Sequence, residues 1–301
     1  MKSAPECVRC FISDLYGAIE SLGLNEEISR EIMEEGLRFL SENINRWDLP
    51  SFYITELHRI LKRKAKMPFP FKELRRRTNE ICLEILRDIE KEMASFSDEE
   101  RIKFSIKWAI AGNHLDFRTA GRGYKDAKNL KEELLKEVEG KIQVDDTEKF
   151  LRLSFSRVLY IHDNVGEIVL DIPLIKELKR KGVKVFSALR GGPITSDATV
   201  EDGREVGIDK FAEIVEAGPD TLGISWEEMT PQMRKLMNDV HLIVSKGQAN
   251  YYVLITHKAS IKPSIFFLLK TKCSYISKHF GYNQKSINVA KLLFKGREAE
   301  K

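Results

Sequence analysis

From residue 7 to about residue 139, apolar side chains return every three or four positions, as at Ile28, Ile32, Leu37 and Leu40, and again at Leu74, Ile81, Ile85 and Ile89. That spacing lines one face of a helix, so this half of the chain reads as all helical. Breakers divide it: Gly23 with Asn25, the stretch 48–51, the Met67-Pro68-Phe69-Pro70 turn, and 95–98, where Ser97 is placed to cap a helix ending near Ala111. Five or six helices fit between them. After about residue 143 the pattern changes. Residues 157–161 form a short run rich in β-formers, 168–181 are helical with Gly182 as the stop, and 183–188 are again strand-like, which together make a βαβ unit. A third strand is expected at 213–216, a helix at 226–238, a fourth strand at 240–244, a fifth at 264–269 and a last helix at 274–280. The fold class is therefore α/β, with an all-helical domain over residues 1–142 and, over 143–301, a mostly parallel sheet covered by helices.

In such a sheet, ligands bind beyond the carboxyl ends of the strands, so the polar residues that follow each apolar run are the ones to weigh. Three clusters stand there: His162-Asp163-Asn164-Val165-Gly166-Glu167, Arg190-Gly191-Gly192-Pro193 running on to Asp197 and Asp202, and Ser245-Lys246-Gly247-Gln248-Ala249-Asn250. Asp163, Asn164 and Asp202 offer a hard oxygen set suited to one divalent ion such as Mg²⁺ or Mn²⁺, held partly by water. Lys246 and Gly247 fall where a strand turns into a helix, a place where a cation and backbone N–H groups meet an anion such as phosphate. A metal polarising phosphoryl oxygens, with Lys246 and Arg190 offsetting the developing charge, lowers the barrier to phosphate-ester cleavage. Each cluster also has an ordinary structural use, in turns and helix caps, and the functional reading rests on their conjunction along one sheet edge.

Composition narrows the alternatives. The 50 Lys and Arg against 46 Asp and Glu leave a net charge of only +4, which disfavours a bulk polyanion binder. Arg59 to Arg77 is locally basic, with Lys62, Arg63, Lys64, Lys66, Lys72, Arg75 and Arg76 opposed by Glu73, and its ordinary reading is a solvated pair of helix faces rather than a nucleic-acid surface. No run of about 18 apolar residues is present, and the first residues lack the apolar stretch of a secretory signal, so a cytoplasmic protein without membrane contact is expected. Four cysteines are too few for a disulfide framework. Cys7 and Cys10, one turn apart at a helix start, make half of a zinc site or a redox pair, with packing as the default. His162 is a candidate acid or base by position. Gly121 and Gly123 lack the strand-to-helix context of a dinucleotide loop.

In order and spacing these segments resemble the damage-control phosphatases, also called the domain-of-unknown-function 89 or ARMT-like family. The resemblance is carried by Cys7-Val8-Arg9-Cys10, Gly112-Asn113-His114-Leu115-Asp116-Phe117, Asp163-Asn164-Val165-Gly166-Glu167, Asp171 with Pro173, Arg190-Gly191, the segment 197–202, Ser245 to Tyr251, and Phe266 to Leu269 running into Lys272-Cys273. It implies a Rossmann-like C-terminal domain and metal-dependent hydrolysis of small phosphomonoesters such as sugar phosphates or related damaged metabolites, with Mn²⁺, Mg²⁺, Co²⁺ or Ni²⁺. The family's metal ligands carry over onto Asp163, Asn164 and Asp202, and its phosphate-contacting lysine onto Lys246. Asn113, Asp116 and Glu167 fall in the catalytic set with Asp163 and Lys246, while Arg190, Asp197, Ser245, Gly247 and Asn250 fall on the phosphate side. Ser196 stands where relatives usually have asparagine, Ala249 where glycine is common and Tyr252 where an acid is usual, so substrate choice is where this chain is expected to differ. Two other classes remain in view: an S-adenosylmethionine-dependent carboxyl methyltransferase, an activity proposed for relatives, and a nucleic-acid-binding helical module.

Overall fold

A computed structural model describes residues 1–115 and 127–294. Within them the helical half contains α1 (Pro5–Ser21), α2 (Glu26–Asn43), α3 (Pro50–Lys64), α4 (Lys72–Met93), α5 (Asp98–Gly112) and α6 (Ala127–Glu139). Their starts follow local chemistry. Pro5 and Pro50 open α1 and α3, the Asn25 side chain accepts the Ile28 N–H at 2.9 Å, and Ser97 and Glu100 close a capping box on α5.

The remainder alternates as β1 (Val144–Asp145), α7 (Thr147–Leu151), β2 (Arg157–Ile161), α8 (Glu167–Arg180), β3 (Lys184–Leu189), α9 (Val200–Glu205), β4 (Glu213–Glu216), α10 (Pro231–Asp239), β5 (Leu242–Lys246), α11 (Gln248–Thr256), β6 (Ser264–Lys270), α12 (Ser274–Lys278) and β7 (Asn288–Leu293). The strands form one sheet in the order β1-β7-β6-β5-β2-β3-β4. The run from β6 to β4 is parallel, and β7 lies antiparallel to β6 with β1 parallel to β7. Val158, Leu159, Tyr160 and Ile161 of β2 are all fully buried, as a central strand covered on both faces requires. From β2 the chain winds outward to β3 and β4, then returns to lay β5 and β6 on the opposite side. The order therefore reverses between β2 and β5, and the crevice beyond their carboxyl ends is where an open α/β sheet takes a ligand.

Two strands had no legible signal: β1 is only two residues long, and Lys291 interrupts the apolar run of β7. The helix expected at 226–238 begins instead at Pro231, with Thr230 as its cap, while Trp226 stacks flat on His257 at 4.4 Å. The basic stretch is largely matched by acids. Arg59 and Lys62 pair with Asp220, Arg63 and Lys64 with Glu35, and Arg76 with Glu73 and Glu80, so much of the stretch's charge is offset locally. No helix among the described residues is long and apolar enough to cross a membrane.

Residue 142 separates a helical half from an α/β half in sequence, yet one apolar core containing Phe11, Ile85, Ile106, Leu170, Val244 and Phe266 runs through both. The turn from β2 into α8 shows how closely they join. Gly166 has φ +73°, and a side chain there would meet Thr78 Cγ2 of α4 at 2.6 Å and Cys82 Sγ at 3.1 Å. Its N–H is taken by Asn79 Oδ1 of α4 at 2.6 Å. We expect Gly166→Ala to destabilise the protein by roughly 2–4 kcal/mol, the sum of a strained backbone and an overpacked contact, read as a lower midpoint in urea. A midpoint unchanged from wild type would show that α4 yields at this contact.

Candidate active site

The sequence that leaves β2 is fixed from three sides. The segment after β3 runs back beside it: Ala198 N–H donates to Asp163 O at 2.8 Å, Val165 N–H donates to Ser196 O at 2.9 Å, and Asn164 and Asp197 form an antiparallel bridge. From the end of α5, the Asn113 amide donates to Asp163 Oδ2 at 2.9 Å and to Glu167 Oε2 at 3.1 Å, while its own oxygen accepts from the Lys270 N–H at 3.0 Å. Asn164 Nδ2 donates to Asp163 Oδ2 and to Glu167 Oε2, both at 2.9 Å, and Ser196 Oγ donates to Asn164 Oδ1 at 2.6 Å. On the third side Gly247, at φ +76°, presses its backbone against Asp163, where any Cβ would lie 1.9 Å from Oδ2. A close approach of this kind is what a glycine permits.

Below Asp163 lies a buried charge network. The Lys246 ammonium, fully buried at the end of β5, sits 2.5 Å from Glu167 Oε1 and 2.8 Å from Asp171 Oδ1. Asp171 also accepts from Tyr160 OH at 2.9 Å and pairs with His162 Nδ1 at 2.8 Å. Burial alone would lower the ammonium's pKa, but Asp171 and Glu167 outweigh it and hold it above its ordinary value. Burial likewise pushes Asp171 up, and Lys246 followed by His162 more than reverse this, so the carboxyl stays below its usual range. Burial, reinforced by Asp171, raises Tyr160 well above a free phenol, which keeps it a donor.

A cavity of about 310 Å³ opens between α1, α3 and the ends of β5 and β6. Asp163 is the one member of the polar clusters after β2 and β3 that lines it, alongside Gln248 and Ala249 from the first turn of α11, and Lys272. Residues 3–287 match the family model described as the damage-control phosphatase ARMT1-like domain. The chain belongs to this family. It is 33% identical to a damage-control phosphatase of Archaeoglobus fulgidus over 94% of this chain and 96% of that one, and 30% identical to an uncharacterised protein of Methanocaldococcus jannaschii over 93% and 92%. A solved structure of a DUF89 family protein from Pyrococcus horikoshii superposes with a TM-score of 0.83 at 27% identity, covering 96% of this chain and 98% of that one.

Within this family member several residues stand elsewhere than expected. Lys246 was expected to face the phosphate; its ammonium is instead buried between two carboxylates, because the strand end points it inward toward α8. Asp202, expected beside Asp163 and Asn164, gives Oδ2 to Arg75 of α4 and to the Thr199 N–H and hydroxyl at the start of α9. Arg190 is buried against Asp197 Oδ2 at 3.1 Å, and Asp197 also accepts from the Gly223 N–H at 2.7 Å. Asn250 ties His162 O to Lys246 O and accepts from the Ile224 N–H. The Ser245 hydroxyl is buried with no hydrogen-bond partner among the described residues. These four residues, Arg190, Asp197, Ser245 and Asn250, brace the floor rather than line the cavity. Asp116 lies outside the described residues, as do Gly121 and Gly123. His162 is buried away from the cavity, with Nδ1 on Asp171.

Sequence reasoning passed over Arg75 and Asn79, which reach from α4 to the 195–202 segment and to Gly166. Their signal was a polar residue in an apolar stripe: Arg75, Asn79, Cys82 and Leu86 share the buried face of α4. Replacing Lys246 by Met leaves two buried carboxylates with one cation fewer, and we expect a loss of about 3–5 kcal/mol. The sign of the pH dependence separates this from lost packing. In the wild type, the Asp171 contribution is present above about pH 4 and is lost as pH falls through its lowered folded value, and that of Lys246 is lost only as pH rises past about 10.4. The variant should gain stability from pH 8 to pH 5 as one carboxylate takes up a proton. Urea midpoints that fail to rise over that range would exclude the ammonium as the neutralising group.

Proposed function

We propose that this chain is a divalent-metal-dependent phosphohydrolase that releases phosphate from a small phosphorylated metabolite. The observation that carries the proposal is that Asp163, fixed beside the Asn164 amide at the β2–β5 switch point, is the carboxylate of this floor that reaches the cavity. Family membership supports the reaction class, since relatives from A. fulgidus and P. horikoshii are named damage-control phosphatases.

The donor set suits a hard ion of the Mg²⁺, Mn²⁺, Co²⁺ or Ni²⁺ kind. Among the described residues no three His, Cys, Asp or Glu side chains converge into a closed cage. That is the mode of Mg²⁺-like ions, which take one or two carboxylates and fill their remaining positions with water and substrate phosphate. Asp163 and the Asn164 oxygen would hold the ion. Asp202 is engaged by Arg75 and Asp197 by Arg190, so water and substrate would complete the ion's shell. When bound, such an ion would supply Lewis-acid polarisation of the phosphoryl group.

The chain's own residues do the remaining work. Asn113 and Asn164 orient Asp163 through N–H donors. Lys246 neutralises Glu167 and Asp171 behind it, so that the floor does not become an uncompensated anion facing a phosphate. Lys272 and the first turn of α11, at the cavity wall, offer a cation and the positive end of a helix to the phosphate oxygens.

The test is phosphate release from p-nitrophenyl phosphate by purified protein with and without each of the four metals. Activity should be abolished by chelator and restored by metal. Asp163→Asn should lower kcat by about 10²–10³-fold, the scale of removing one electrostatic group aimed at the transition state. The same variant should lose the metal-induced rise in Tm. Chelator-insensitive hydrolysis, or an Asp163→Asn variant as active as wild type, would overturn the proposal.

A further inference from the structure

The cavity above Asp163 has two unlike parts. Its floor is polar, but its wall is built from Phe11, Ile54, Leu222, Tyr252, Tyr275 and Ile276, carried by α1, α3, α11, α12 and the loop before α10. Three thiols complete it: Cys7 and Cys10 from α1, and Cys273 from the residue before α12. All three are free cysteines. Burial, the largest influence, raises the thiols of Cys7 and Cys10 above their ordinary value, so at neutral pH they are uncharged, soft and weakly hydrogen-bonding. Two polar side chains of the wall, Gln248 and Asp14, are already joined to the protein. Gln248 Oε1 accepts the Lys272 N–H at 2.8 Å and its Nε2 approaches Cys273 Sγ at 3.8 Å, while Asp14 pairs with His58 Nε2 at 2.8 Å.

We infer that this site takes phosphomonoesters whose organic part is an apolar, preferably flat ring carried on a short alcohol, and that it selects against polyhydroxylated sugar phosphates. The inference rests on the phosphatase reading above. A ring against aromatic and thiol surface gains from leaving water and from sulfur–aromatic contact. A sugar in the same place would bury several hydroxyls against groups that are apolar or already engaged, and an unpartnered buried hydroxyl disfavours binding. A volume of about 310 Å³ lies at the lower end of small-ligand cavities, roughly 300–1,000 Å³, and suits one ring with its phosphate. Ala249 and Tyr252 of α11 also line this wall.

Benzyl phosphate and glucose 6-phosphate test it, because both release a primary alcohol and so differ little in leaving-group chemistry. With the Mn²⁺-loaded full-length protein, kcat/KM for benzyl phosphate should exceed that for glucose 6-phosphate by at least about 10-fold, the usual scale of discrimination by an apolar pocket. Tyr275→Ser and Ile276→Asn should each narrow the ratio by lowering only the benzyl value. A second readout needs neither turnover nor variants: benzylphosphonate should slow alkylation of Cys10 and Cys273 by iodoacetamide, and glucose 6-phosphate at the same concentration should not. Equal or better turnover of glucose 6-phosphate, or equal protection by it, overturns the inference while leaving the phosphatase reading intact. Protection by benzylphosphonate with no hydrolysis of any phosphomonoester would overturn the phosphatase reading and retain the apolar wall.

Discussion

A single ammonium, that of Lys246, lies fully buried between Glu167 and Asp171 at the point where the strand order reverses, and most of the site's geometry follows from it. Three charges so far from water are tolerated only if each is matched and hydrogen-bonded. The fold meets that condition by converging four elements. β5 brings Lys246, the first two turns of α8 bring Glu167 and Asp171, α5 brings Asn113 against Glu167, and β2 brings Tyr160 against Asp171. Glu167 then has oxygens left to accept from Asn164, and Asn164 and Asn113 together hold Asp163. The carboxylate that reaches the cavity is thus positioned by amides, which carry no charge, while the cation stays one layer behind.

The helical half belongs to this same construction. Arg75 holds the backbone oxygens of Thr195 and Asp197 together with the Asp202 carboxylate, and Asn79 holds the Gly166 N–H. Both come from α4, and both fix loops that leave the sheet. On the far side of the cavity, Arg59 and Lys62 of α3 bind Asp220, next to the loop whose Leu222 and Gly223 approach the site. A helical layer that only covered the sheet would need apolar contacts alone. Here it also supplies the hydrogen bonds that loop backbone, cut off from water, would otherwise lack.

Most of this was legible in the sequence, for identifiable reasons. The central strands could be read because a strand buried on both faces needs a near-continuous apolar run, as β2 has. That Asp163 and Asn164 stand at the end of β2 could be read because they directly follow its apolar run, although an acid and an amide there serve turns equally well. The direction of the longer side chains could not. Lys246 and Asp202 stand at the right ends of the right elements, but whether each reaches into the cavity or back into the protein depends on partners distant in sequence, Asp171 in one case and Arg75 in the other. Strand β1 was also hidden, since it is held by register with β7 rather than by any pattern of its own.

The two surfaces of the cavity differ in chemistry: Asp163 offers carboxylate oxygen, and Cys7, Cys10 and Cys273 offer thiols. Hard divalent ions prefer carboxylate, amide and water oxygen, whereas soft sulfur prefers soft metals. Burial keeps Cys7 and Cys10 protonated, and a thiol must lose its proton to become a strong ligand. Under the proposed function, a hard ion at the floor would therefore meet little competition from sulfur. The burial that raises these thiols would leave the proposed metal chemistry to Asp163 and its neighbours.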